Sequence, residues 1–173
     1  MNQPQANKRT PASIQFIGLI VSILICFACA GIGSAATTPN LADWFANLKK
    51  PTWNPPNWVF APVWTTLFAM MAVAAWLVWR NAWQNAGWRT SWLALSWFGI
   101  QLALNVGWSI LFFGCQQPGF ALIEIVLLWL AIAITASLFA RHSKLAAGLM
   151  VPYLCWVSFA SVLNFAIWSL NRT

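Results

Sequence analysis

Five apolar runs divide the chain, at about 14–35, 59–80, 92–113, 118–140 and 146–168, with short polar or proline-bearing stretches between them. At 1.5 Å per residue, each run forms a helix long enough to cross roughly 30 Å of hydrocarbon. Backbone groups in lipid must pair internally, so runs of this length predict spanning helices. None carries a charged face, which argues against helices lying flat in the interface. The expected fold is an all-α integral membrane protein, a bundle of five transmembrane helices with one long Pro/Trp-rich first loop over about 36–58. Residues 1–13, with the polar "MNQPQANKRT", read as a mobile tail.

The first run admits a lesser reading as a cleavable signal peptide, because Lys8 and Arg9 precede it and "GSAA" closes it. Its apolar stretch from Ile14 to Ile32 is longer than the usual signal core. If all five runs span, Lys8, Arg9, Arg80, Arg89, Arg141 and Lys144 fall on one side and Lys49, Lys50 and Arg172 on the other. The basic excess then places the N-terminus in the cytoplasm and the first loop outside, in a bacterial inner membrane.

Composition supports a single membrane domain, since 61% of the 173 residues are hydrophobic and only 6% are charged. The net charge of +7 is spread over helix ends and is not gathered on one face, so it reads as topology and headgroup contact, with no nucleic-acid partner. Asp43 and Glu124 are the only acids and His142 the only histidine. Paired titratable groups for hydrolysis or proton pumping are therefore lacking, and His142 in the turn "RHSK" reads as a surface residue. Glu124, about two turns into the fourth run, is either a polar anchor within the bundle or a near-interface carboxylate with a water or backbone partner. Cys26 and Cys29 share a helix face, while Cys115 and Cys155 lie elsewhere; no metal-ligand spacing links them, and packing is the expected role. No metal site and no required cofactor are expected.

Aromatic side chains remain, with fourteen Trp, twelve Phe and one Tyr. Trp79, Trp83, Trp88 and Trp92 flank the second polar break and suit an interfacial belt. Residues 49–64, "KKPTWNPPNWVFAPVW", concentrate four prolines and four rings in sixteen positions. Pro51, Pro55 and Pro56 cannot lie inside a regular helix, so the stretch is a shaped loop leading into the second helix near Trp58. Alternating threading brings Trp58, Phe60, Trp64, Phe112, Phe113, Phe120 and Trp168 to the loop's side of the membrane, with Trp156 deeper and Asn105 and Asn164 as buried amides. Such an arrangement serves either an apolar cavity for a flat ligand or ordinary helix packing bridged by amides.

Three segments, "KKPTWNPPNWVFAPVWTTLFAMMAVAAWLVW", "QLALNVGWSILFFG" and "VPYLCWVSFASVLNFAIW", resemble the successive signatures of the translocator protein family, also called tryptophan-rich sensory proteins or peripheral benzodiazepine receptors. The resemblance runs from about residue 14 to 171. It implies a five-helix bundle, a homodimer, and a cavity that takes protoporphyrin IX, haem, sterols or synthetic benzodiazepine-site compounds. By motif, Trp64 and Trp156 match two pocket tryptophans; Trp53, Phe60, Ala61, Val63, Asn105, Ala160 and Leu163 match other pocket or lid positions, and Phe120 is added from the threading. Trp44-Phe45 stands where many members have Trp-Tyr, and Phe165 where the sterol pattern has its tyrosine, which counts against a sterol. Three functions follow from the resemblance: a porphyrin-binding sensor or carrier, a light-dependent porphyrin degrader using Trp64 and Trp156, or a lipid or sterol transporter. The lid prolines would limit the entropy lost on closing over a ligand, and Lys49 and Lys50 could meet propionate groups.

Overall fold

The structure, a computed structural model, describes residues 11–85 and 88–172, without the side chains of 84–88. Most of the tail expected at 1–13, with Lys8 and Arg9, therefore lies outside the described residues, as does the indole of Trp88. Five helices follow in order: α1 (Ala12–Thr37), α2 (Phe60–Asn85), α3 (Trp88–Ser109), α4 (Pro118–Ala140) and α5 (Lys144–Asn171). All five are long and apolar enough to cross a membrane.

Two boundaries differ from the sequence reading in ways that reshape the site. The first span does not end near residue 35 but continues through a 3₁₀ turn at Thr38–Asn40 and a π-type turn at Leu41–Phe45. Pro39 is tolerated there because it sits in the first turn of the 3₁₀ segment, where its missing N–H has no helical partner to lose. The loop expected over 36–58 thus shrinks to an irregular link of about 48–56. At the other boundary α2 runs on to Asn85, carrying Asn81 past the expected stop at 80. Pro56 precedes a short 3₁₀ turn, Asn57–Val59, that leads into α2.

The helices close a ring in which α1 packs on α2, α2 on α5, α5 on α4, α4 on α3 and α3 back on α1; α2 also touches α3 across the centre. Short connections make α2–α3 and α4–α5 antiparallel neighbours in sequence, yet α5 reaches round to α2. The principal core occupies the middle and the end away from the loop. There Met71, Ala72, Ala74, Ala75 and Val78 of α2 meet Phe98 and Leu102 of α3, Leu128, Ile132 and Phe139 of α4, and Met150, Tyr153 and Val157 of α5. Small residues on α2 let its neighbours approach closely, which is how helices associate where lipid offers no hydrophobic drive.

Close approach is most demanding at Gly18, where an added Cβ would meet the six-membered ring of Trp79, with Cε3 at 2.8 Å. Nearby, the Trp76 indole donates to the Gln15 carbonyl at 2.9 Å. These two contacts fix α1 to α2 at the end far from the loop. At that same end His142, expected at the surface, is half-buried. Its carbonyl accepts from Asn81 at 2.8 Å, and its ring lies 3.4 Å from the Ser91 hydroxyl, so it joins α2 and α3 to the α4–α5 turn. Trp83 and Trp92 are exposed, the placement an interfacial belt requires.

Candidate functional site

A cavity of about 550 Å³ lies at the loop end, walled by α1, α2, α3 and α5 but not by α4. Helical spacing explains its lining. On α2, Phe60 and Trp64 stand one turn apart; on α5, Trp156, Ala160 and Leu163 follow at i, i+4 and i+7; Asn105 and Trp108 of α3 and Phe112 of the π-type turn that follows it (Ile110–Gly114) line a third stripe. Opposite these rings α1 presents small side chains, Cys29, Ala30, Gly33 and Ser34. Gly33 is needed small, because a Cβ there would stand 3.2 Å from the Ser109 hydroxyl of α3.

Ring-to-ring contacts hold this wall in shape. Trp156 packs edge-on against Phe60 with centroids 5.8 Å apart and lies 5.5 Å from Phe159, which in turn meets Trp53 of the loop at 5.8 Å. Trp64 leans on Phe68 at 5.7 Å and on Tyr153 at 6.1 Å. A second group forms the roof, where Trp108 stacks on Phe112 at 5.1 Å and Trp44 and Phe45 of the π-type turn pack on Phe112 and Phe113. Edge-to-face and offset geometries of this kind are worth about 0.5–1.5 kcal/mol per pair beyond burial.

The buried amides are tied down. Asn105 Nδ2 donates to the Tyr153 hydroxyl at 3.0 Å, Trp108 Nε1 donates to Asn164 Oδ1 at 3.0 Å, and Asn164 Nδ2 donates to the Pro118 carbonyl at 2.8 Å. Asn164 therefore joins α3, α4 and α5 beneath the roof. The loop is held as well: Lys49 N–H donates to Asn171 Oδ1 at 3.0 Å, and Asn171 Nδ2 returns a bond to the Lys49 carbonyl at 2.9 Å. Lys50 Nζ donates to the carbonyls of Ala46 and Leu48 and sits 4.7 Å above the Phe45 ring, so its ammonium is engaged with the turn.

Of the residues expected at the site, Phe60, Ala61, Trp64, Asn105, Trp156, Ala160 and Leu163 line this one cavity. Trp53 stands one ring away, on Phe159. Val63 packs against the principal core, and Phe120 is largely exposed on a separate outer groove near Trp168. Sequence reasoning missed Trp108 and Phe159 as wall residues, although each stands three positions from an expected one, Asn105 and Trp156. The α1 wall had no signal, because that helix is apolar all round. Glu124 is buried inside the bundle, 8% exposed, and neither carboxylate oxygen has a hydrogen-bond partner. Among the described residues no group of His, Cys, Asp or Glu is placed to hold a metal ion. The lining carries no carboxylate, amine, guanidinium or imidazole.

Fold and cavity together define a multi-pass membrane protein built around an aromatic chamber at one end of a five-helix bundle. The chain belongs to the TspO/MBR family, whose pattern it matches over residues 22–169. It is 48% identical over 162 residues to "Tryptophan-rich protein TspO" of Chlorobaculum tepidum, covering 91% of this chain and 98% of that one. It is 39% identical to "Tryptophan-rich sensory protein" of Cereibacter sphaeroides, with 82% of this chain and 87% of that one aligned. Human "Translocator protein" is 40% identical over 75% of each chain.

Proposed function

We propose that the cavity binds a flat, mainly apolar tetrapyrrole, such as protoporphyrin IX or haem, and that the protein serves as its sensor or carrier in the membrane. The observation that carries this reading is the lining itself: rings on α2, α3 and α5 facing small residues on α1, with amides already bonded to their neighbours. A volume of about 550 Å³ falls within the range of small-molecule and cofactor sites, roughly 300–1,000 Å³. No carboxylate, amine or imidazole lines the cavity to act as a general acid or base beside its Cys29 thiol and hydroxyls, which favours binding over hydrolytic chemistry.

Titration of protein in nanodiscs with protoporphyrin IX, followed by tryptophan quenching, tests the reading. Saturable quenching that Ala160→Leu shifts to higher ligand concentration is expected; quenching without saturation, or unchanged in that variant, rejects it.

A second reading rests on Trp64 and Trp156, two oxidisable indoles on the same cavity wall: a light-dependent breakdown of the bound ring. Absorbance series in dark and light separate the two. A product formed only in light and only with both tryptophans present favours breakdown, and an unchanged bound spectrum favours the carrier. We also propose that the N-terminus is cytoplasmic and the loop external, from the basic excess at the opposite end. Impermeant labelling of Asn54→Cys but not of Asn2→Cys in intact cells is expected, and the reverse pattern inverts the orientation.

A further inference from the structure

Glu124 is the only glutamate in the chain and stands on α4, the one helix that takes no part in the cavity wall. It faces α3 at Gly107, where an added Cβ would lie 3.8 Å from Oε1. Across the same space α5 presents Tyr153, fully buried and within electrostatic reach of Glu124 and of the Cys26 thiol on α1. Tyr153 and Cys26 are the titratable groups facing this site; α3 contributes the Asn105 amide and Gly107.

The hydrogen-bond account of this cluster is incomplete in a complementary way. Both Glu124 oxygens lack donors. The Tyr153 oxygen accepts from Asn105 Nδ2, but no bond is found for its own O–H proton. Buried polar groups are almost always paired, and a buried ionised carboxylate with neither cation nor donor would be very costly. The neutral acid, by contrast, both donates and accepts.

We propose that Glu124 is a proton-binding site, a carboxyl held neutral inside the bundle where α4 meets α3 at Gly107. The proton comes from solvent and converts the carboxylate to the acid, with no other bond made or broken. The inference does not depend on which ligand the cavity takes.

Because Glu124 is the sole glutamate, isotope labelling isolates it. Infrared spectra of the full chain in nanodiscs at neutral pH, with and without ¹³C-glutamate, should show a neutral-acid carbonyl stretch that moves with the label and vanishes in Glu124→Gln. Carboxylate stretches in its place, or a neutral-acid band that persists in Glu124→Gln, would overturn the proposal.

Discussion

At the end away from the proline loop, α1 and α2 are locked by Gly18 beneath Trp79, and small alanines of α2 sit against large partners on α3, α4 and α5. At the loop end the pairing of sizes is reversed. Rings of α2, α3 and α5 brace one another, while α1 offers mostly small residues such as Cys29, Ala30, Gly33 and Ser34 beside a single ring, Phe27, and the space between stays open. The same small residue types therefore do opposite things. Opposite a large side chain they permit contact, and opposite rings already held by other rings they leave a chamber.

The largest expected effect comes from adding the same bulk at each end. Ala72→Leu, in a fully buried position of the packed end, should lower stability by about 1–3 kcal/mol by overpacking, read from thermal unfolding in detergent. Ala160→Leu, on the cavity wall, should leave unfolding nearly unchanged. Its cost falls on a ligand that must share the space, weakening protoporphyrin affinity by about five- to 150-fold if the same 1–3 kcal/mol applies. Equal unfolding shifts would erase the distinction between solid and hollow ends.

Next in size is the loop. Replacing Pro55 and Pro56 together by alanine relieves two fixed φ angles, each worth about 0.4–1 kcal/mol in the open ensemble. If that ordering cost falls on ligand closure, affinity drops about four- to thirtyfold, mainly through a faster off-rate. Lower thermal stability with wild-type affinity and off-rate would make these prolines architectural only.

Single rings should matter less, and only at one end. Trp156→Ala, which removes contacts to Phe60 and Phe159, should weaken porphyrin binding about three- to tenfold, measured by quenching of the remaining indoles. Trp92→Ala, 63% exposed near the opposite interface, should leave binding within error. A matching loss in both would contradict the placement of the chamber.

The smallest change is expected from Asn171→Ala. Its two bonds to Lys49 lie near solvent, at the low end of about 0.5–1.5 kcal/mol each. Amide hydrogen exchange of residues 48–56 should quicken about two- to fivefold, with no change in α2 beyond Trp64.

Hydropathy alone made the five spans legible, because lipid leaves the backbone few choices. Their order around the ring was not legible, since α4 and α5 differ little in composition and only packing decides which meets α2. The first span was read as ending near residue 35, but the chain continues through Pro39, which opens a new turn, and Trp44 and Phe45 become roof rather than loop. Within the site, threading brought out Phe60, Trp64, Asn105 and Trp156, the family motif alone gave Ala61, Ala160 and Leu163, and these seven share one cavity. Phe120 and Val63 could not be separated from them, because side of membrane says nothing about which face of a helix a residue occupies. The isolation of Glu124 was equally invisible, since partners come from three-dimensional neighbours.

The bonds between Lys49 and Asn171 join points 122 residues apart, with a consequence for biogenesis. Helices enter the membrane in chain order, and α5 is the last of these five to emerge. Until it arrives, Trp156, Ala160 and Leu163 are missing from the wall, Asn164 cannot tie α3 to α4, and the loop has no latch. Nascent chains that hold only the first four helices therefore lack one wall of the chamber, and a ligand can be enclosed only once α5 is in place.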